Sequence, residues 1–416
     1  MIGSRDAPVF DVAVVGRASV GLAAALALAR AGLRVALVGP EAGMPPAADS
    51  WDNRVFALSP ASRALLDSLG VWQAMDGARI APVHDMKIWS KAATATGAGP
   101  AWPFGAGGRP LHFSAWQARI DALAWIVENR NLARALGQAC RFAGFSGFDA
   151  PLSALDTAAD PAAAVLTLAD GRALKARLVV GADGAGSRTR ELAGIASSLT
   201  DYPQRAIVAN FETAMAHGDC ACQWFGEHGI LALLPLPGQR CSIVWSAPHA
   251  LADELLALAP EALATRVEAV AGQVFGRLVP IGPAAAWPLR LGRVDALVAR
   301  RVALVGDAAH VVHPLAGQGM NLGFGDVQTL ADVLSGREGP RDPGEHLLLR
   351  RYERARAEPV LAMRLATDGL QKLFDPGSAL MGGPLGGPLR SLRELGWQAV
   401  AGSGLLRRVL ISQAVR

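Results

Sequence analysis

Charge is scarce in this chain: only 18% of its residues are Asp, Glu, Lys or Arg, against about 25% in an ordinary globular domain. With 51% hydrophobic residues, that scarcity excludes disorder as the main state and leaves a large core to bury. Long blocks of one sign are also missing. The 40 basic and 36 acidic residues are interspersed, apart from pairs such as Arg350 and Arg351 or Arg407 and Arg408, so a net charge of +4 builds no nucleic-acid-binding face. Cysteine is nearly absent. Cys140, Cys220, Cys222 and Cys241 are too few and too scattered for a disulfide framework or a paired zinc site. Reduced thiols in a cytoplasmic setting are expected, with Cys220 and Cys222 alternating onto one face of a strand.

No uninterrupted apolar run reaches the roughly 20 residues that a membrane span needs. The apolar segment 12–38 is broken by Arg17, Arg30 and Arg34, which argues against a signal peptide or a spanning helix. The 46 glycines follow no triplet period, and no repeat recurs over 20 to 50 residues, so collagen-like and solenoid architectures are excluded. A chain of 416 residues has room for two or three domains, or for one large α/β domain carrying an insertion.

What is present is a set of apolar runs that end in glycine. Residues 11–15 form a β-branched run stopped by Gly16, an alanine-rich stretch follows over 20–30, and Gly32 separates it from a second apolar run at 33–38. Strand, turn, helix and strand in that order are half of a dinucleotide-binding fold, whose parallel strands read as continuous apolar runs because both faces are buried. Residues 176–184 and 301–310 repeat the pattern, ending in Gly181-Ala182-Asp183-Gly184 and Gly306-Asp307. Ligands of open α/β sheets sit beyond the carboxyl ends of the strands, so three distant segments should converge on one crevice.

Residues 220–225, 230–236 and 241–246 alternate in the manner of half-buried antiparallel strands. The segment 97–110 is rich in Pro and Gly and reads as a loop or lid. Beyond Asp326 the pattern turns helical, and beyond Gly382 glycine-proline turns alternate with basic amphipathic ones. The expected architecture is α/β. A Rossmann-like domain takes residues 1–80, 111–195 and 287–345, an inserted antiparallel β-sheet substrate domain takes 81–110 and 196–286, and a C-terminal helical region takes 346–416.

Three constellations carry chemistry. Gly16-Arg17-Ala18-Ser19-Val20-Gly21 occupies the place of a GxGxxG loop, with Gly16 and Gly21 in the tight-turn and helix-packing roles. Ala18 stands where the backbone should approach a pyrophosphate. At the end of the second strand, where a carboxylate would hold an adenosine ribose, the chain has Gly39, and Glu41 is the nearby substitute. In the second constellation, Asp183 and Gly184 precede Ser187, Arg188 and Arg190; this is either a concave site with one carboxylate and basic partners or a surface Asp-Gly turn.

The third constellation is the most specific: Gly306, Asp307 and His310, then Pro314, Gly317, Gln318, Gly319, Met320, Asn321, Gly323 and Asp326. Asp307 at a strand end can accept hydrogen bonds from sugar-like hydroxyls, and a helix starting near Gly319 directs its positive end into the site. That suits a flavin, whose reduced ring carries negative charge that helix-terminal amides stabilise. His310 and His313 lack further ligands, so no metal is expected. Trp224 and Trp245, in these alternating strands, either line a substrate pocket or pack in the core.

These motifs resemble the class A flavoprotein monooxygenases, and among them the aromatic hydroxylases of ubiquinone biosynthesis. The resemblance also rests on residues 52–59, Leu69-Gly70-Val71-Trp72, residues 125–129 with Leu132, Gln223-Trp224-Phe225, residues 231–236, Trp287-Pro288-Leu289 and residues 352–356, and so covers nearly the whole chain. It implies an FAD-binding Rossmann-like domain and a monooxygenase in which NAD(P)H reduces FAD. Oxygen then forms a C4a-hydroperoxyflavin, whose distal oxygen passes to the aromatic ring of a polyprenylated phenol or quinone precursor.

On that resemblance the FAD-binding residues are Gly16, Ala18, Gly21, Glu41, Arg54, Asp183, Gly184, Gly306, Asp307, Pro314, Gly317, Gln318, Gly319, Met320 and Asn321, and Trp224, Leu233, Pro235 and Trp245 line the substrate pocket. No substrate-activating base can be named. The implied partners are a small apolar aromatic substrate and molecular oxygen, with other ubiquinone-synthesis proteins as a further option, and no nucleic acid. The basic, Leu-rich turns around 405–411 either rest peripherally on the inner membrane or pack on the core. Ala18 and Gly39 leave one alternative open, a non-catalytic or weakly FAD-binding scaffold of a ubiquinone-synthesis complex. A halogenase of the same fold is disfavoured because the chain has no WxWxIP motif.

Overall fold

The computed structural model describes residues 8–41, 50–90, 110–226, 229–311 and 319–374. The chain opens with β1 (Val9–Val15), α1 (Ser19–Arg30) and β2 (Val35–Val38). Helix α1 is alanine-rich because it is buried along most of its length, with Ala23, Ala24 and Ala25 inaccessible to solvent. Small side chains let it lie close to the sheet and to its neighbouring helices. Then come β3 (Val55–Leu58), α2 (Pro60–Ser68), β4 (Ile80–Val83), β5 (Asp85–Ser90), β6 (Leu111–Ser114), α3 (Ala115–Ala118), β7 (Ala124–Glu128) and α4 (Asn129–Ala143). The run continues with β8 (Ser146–Phe148), β9 (Leu152–Asp156), β10 (Ala164–Leu168), β11 (Ala173–Gly181) and α5 (Arg188–Leu192).

The second half begins with β12 (Ser197–Thr213), β13 (Cys220–Gly226), β14 (Gly229–Leu236) and β15 (Arg240–Pro248). Helices α6 (His249–Ala257) and α7 (Pro260–Ala271) follow, then β16 (Leu278–Pro280), β17 (Ala285–Val294), β18 (Val298–Ala299) and β19 (Val302–Leu304). Helices α8 (Gly319–Ser335) and α9 (His346–Phe374) close the described chain.

Strands β8, β2, β1, β11 and β19 lie side by side and parallel, with antiparallel β18 beyond β19 and a β9–β10 ribbon on β11. The parallel strand ends that carry Gly16, Ala182 and Val305 therefore reach one edge together. Helices α4 and α8 pack against α1, and the core of this layer joins Val12, Val14, Ala24, Leu28, Val180 and Leu304.

A second sheet runs β16-β12-β15-β14-β13-β5-β6, with β17 also paired to β12. One of its faces is covered by α6 and α7, which bury Leu255, Leu263 and Val267 against Phe211, Ile243 and Trp245. The opposite face, through Ala221, Ala232, Leu234 and Leu236, packs on a three-stranded sheet of β3, β7 and β4. Strand pairing carries Leu111–Ser114 and Ala285–Val294 into the antiparallel sheet. The boundaries expected at 110 and 286 fall beside these strands, which backbone pairing with β5 and β12 fixes there. Of the C-terminal region 346–416, α9 is described, while the basic turns at 405–411 and the lid segment 97–109 lie outside the described residues. Among the described residues no helix is long and apolar enough to cross a membrane.

Candidate active site

The three glycine-punctuated motifs meet at the carboxyl edge of the parallel sheet. Ala182 N donates to Val15 O at 2.7 Å, which ties the turn after β11 to the turn after β1. Gly16 has φ +118°, and a Cβ there would lie 2.2 Å from Ala182 O. A Cβ on Gly21 would lie 2.0 Å from Gly16 O. Only glycine fits at either position. Val20 of α1 packs into the third motif, since a Cβ on Gly306 would lie 3.1 Å, and one on Gly323 2.9 Å, from its methyl carbons.

Ala18 adopts φ −83° and ψ 176°, extended backbone that any residue reaches, and its side chain is exposed. The missing glycine therefore imposes no backbone strain. Helix α1 has no side-chain N-cap and no acidic residue in its first turn, so its amino-terminal amides and positive dipole end face the crevice uncompensated.

Asp183 is spent on its own loop. Its carboxylate accepts from Ser187 Oγ at 2.5 Å and from both Thr189 N and Thr189 Oγ1 at 2.9 Å, which shapes the turn at Gly184 and starts α5. Arg190 clamps that loop to the next motif by donating to Ala185 O at 2.8 Å and to Ala308 O at 2.9 Å.

Asp307 stands open to the crevice, although protein atoms crowd it on its other sides. That crowding raises its pKa above the usual 3.8, while His310 and Arg54 pull it down. Arg54 is exposed, with its guanidinium 5.4 Å above the Phe56 ring. A cleft beside Asp307 is lined by Arg190, Ser198, Arg293, His310 and Val311.

Beneath this loop lies a buried network whose members sequence reasoning had not joined. Asp326, fully buried, accepts from Gly306 N at 2.9 Å, from Arg356 Nε at 2.7 Å, and lies 2.7 Å from His310 Nε2. Its i+16 and i+30 spacings follow no helical or strand period, so only the fold reveals it. Among the described residues no group of three or more metal-ligating side chains assembles; His310 is an ion-pair partner, and His313 lies outside the described residues.

Asn321 bridges α8 to α2 and β3. Its Oδ1 accepts from Ser59 N at 2.9 Å and Ser62 Oγ at 2.8 Å, and its Nδ2 donates to Ala57 O at 2.8 Å. Gly319 opens α8 and Met320 packs on the core. Pro314, Gly317 and Gln318 lie outside the described residues.

At the end of β2, Gly39 has φ +126°, and Glu41 is exposed, its carboxylate 3.9 Å from Arg17 Nη2. Trp224, Leu233 and Trp245 are at most 3% exposed and belong to the helix-covered core. Their alternation places Pro235 on the same side of β14. Trp224 stacks on Trp89 with ring centroids 4.9 Å apart. Core packing, one of the two alternatives, is what these side chains do. The other face bears Asn210, which donates to Asp52 O at 3.1 Å and to Asn53 Oδ1 at 3.2 Å, tying the second sheet to the segment that presents Arg54.

Residues 9–364 match the model of the FAD binding domain family. The chain belongs to the class A flavoprotein monooxygenases, in their ubiquinone-biosynthesis branch. This monooxygenase is 35% identical over 415 residues to the ubiquinone hydroxylase UbiL of Rhodospirillum rubrum, a match covering 99% of this chain and 91% of that protein. It is 32% identical over 407 residues to the 3-demethoxyubiquinol 3-hydroxylase of Escherichia coli, covering 97% and 98%. In fold it is similar to HpxO of Klebsiella pneumoniae complexed with FAD and uric acid, with TM-score 0.72 at 18% identity, covering 97% and 96% of the two chains. FAD is the cofactor of this monooxygenase and NAD(P)H its reductant.

Proposed function

We propose that this monooxygenase hydroxylates the aromatic ring of a polyprenylated phenol or quinone precursor of ubiquinone. The observation that carries this reading is the position of Asp307, an open carboxylate where α1, the end of β19 and α8 cross. The residues present fit FAD. The uncapped start of α1 offers amides to a diphosphate, and Ala18 leaves the approach free of strain. Asp307 would accept from ribityl hydroxyls, with Arg54 balancing its charge. The first turn of α8, from Gly319 to Asn321, would direct its positive end at the flavin ring.

Gly16, Gly21 and Gly306 would act by letting the three motifs pack against one another, and Asp183 would act by holding the loop at Gly184. When bound, FAD supplies the redox chemistry that activates dioxygen after reduction by NAD(P)H. The chain's own task is to hold that ring, exclude water and orient a phenol against it. Since α6 and α7 seal the face of Trp224 and Trp245, the ring of the substrate would lie on the other side of the sheet, near Asn210 and the segment that presents Arg54. A prenylated substrate partitions into lipid, so the encounter would take place at a membrane surface.

The test uses isotopically heavy dioxygen with a short-chain prenylated phenol and NAD(P)H. One heavy oxygen atom in the product ring is expected. Reductant consumed solely into hydrogen peroxide, or no consumption, would overturn the reading. Sedimentation with anionic liposomes checks the membrane contact.

A further inference from the structure

The end of β2 lacks the carboxylate that ordinarily accepts hydrogen bonds from an adenosine ribose, and the next strand of the sheet offers one in its place. β8 runs parallel to β2, with Val38 opposite Phe148, and Gly39 N donates to Phe148 O at 3.0 Å. Asp149 therefore emerges directly beside Gly39 at the same edge of the sheet. Its Oδ1 accepts from Glu41 N at 2.7 Å and lies 3.8 Å from Arg17 Nη1. The same Nη1 reaches Gly39 O at 3.4 Å. The guanidinium of Arg17, itself part of the Gly16 to Gly21 loop, thus fastens Asp149 to the turn that would carry the dinucleotide.

We propose that Asp149, projected from β8 and held by Arg17 and by Glu41 N, is the carboxylate this chain uses to accept the ribose hydroxyls at the adenosine end of FAD. Three points favour it over Glu41. Its side chain is short and fixed at Oδ1. Its solvent exposure leaves Oδ2 available as an acceptor. The Glu41 carboxylate, by contrast, has only the 3.9 Å contact with Arg17 to hold it. Restoring a side chain at Gly39 would not reproduce this arrangement, because φ +126° strains any L residue there. The inference rests on the proposed FAD site.

The test titrates the full chain, freed of flavin, with ADP, FAD and FMN, for wild type and for Asp149→Asn, Asp149→Ala and Glu41→Gln. ADP binding is read by calorimetry and flavin binding by fluorescence. Loss of a charge-assisted acceptor should weaken ADP and FAD about ten- to a hundredfold in both Asp149 variants, with FMN, which lacks the adenosine, unchanged. Glu41→Gln should stay within about threefold of wild type. ADP and FAD affinities unaltered in the Asp149 variants, an equal fall for FMN, or a loss carried by Glu41→Gln would each overturn the proposal. Failure of wild type to bind FAD would sink the proposed function instead, and the ADP titration would still decide the role of Asp149.

Discussion

Asp326 and His310 meet in the interior, Oδ2 to Nε2 at 2.7 Å, directly under the turn that presents Asp307. The same carboxylate holds Gly306 N and Arg356 Nε, so one buried charge on α8 fixes the loop after β19 and α9 together. Burial pushes the Asp326 pKa up, but the charge and hydrogen bond of His310, the charge of Arg356 and the Gly306 amide outweigh it and hold the carboxyl below 3.8. A carboxyl held below its unfolded value stabilises fully above that value and loses its contribution as pH falls below it. Asp326→Ala should cost about 3–5 kcal/mol near neutrality, because it strands Arg356 without a counter-charge. Urea unfolding should show that cost shrinking in acid.

Asp307 shifts in the opposite direction. A ligand that donates hydrogen bonds to its ionised form must bind more weakly as pH falls through a pKa raised above 3.8. FAD affinity, followed by fluorescence quenching, should therefore drop toward acid in wild type. Asp307→Asn should bind FAD about tenfold or more weakly at neutrality, the loss of a charge-assisted bond, and its pH dependence should be flatter.

The opening loop separates glycines that matter from one that does not. Gly16→Ala and Gly21→Ala place a Cβ 2.2 Å and 2.0 Å from backbone oxygens, and the chain should lose its folded β1-α1 unit, seen as loss of a cooperative thermal transition. Ala18→Gly relieves no strain, so its FAD affinity should change by less than about threefold. A large gain there would show that the methyl obstructs the cofactor.

Trp245 anchors the helix-covered side of the substrate sheet. Trp245→Ala should destabilise by about 3–5 kcal/mol in denaturant titration. Any FAD-affinity change should be small, since that face is turned away from the crevice.

All four thiols are buried, and burial pushes Cys140 and Cys241 up to about 12, while the contact with Cys222 lowers Cys220. Cys220 and Cys222 face each other at 3.9 Å on one side of β13. A thiol reagent should label these four side chains only after unfolding.

Much of this was readable in advance. The strands β1, β2 and β11 are apolar on both faces and announce themselves as continuous runs, and the glycines at 16, 21 and 306 mark where their ends turn. The alternation of β13, β14 and β15 also showed two faces. It does not show which face α6 and α7 cover, so alternation alone leaves Trp224 and Trp245 two readings. Asp149 was invisible for a different reason. Nothing in the sequence around residue 149 marks it, and only the pairing of β8 with β2, more than 100 residues apart, sets it beside Gly39. Asp183 has the residue type of a ligand contact, yet its hydrogen bonds turn inward to Ser187 and Thr189.

Three converging motifs would hold one FAD despite Ala18 and Gly39. The flavin content of the purified chain after gel filtration tests this most directly. Close to one FAD per chain, bound as purified or after reconstitution, is the predicted result. A colourless protein that takes up no added FAD would contradict the account.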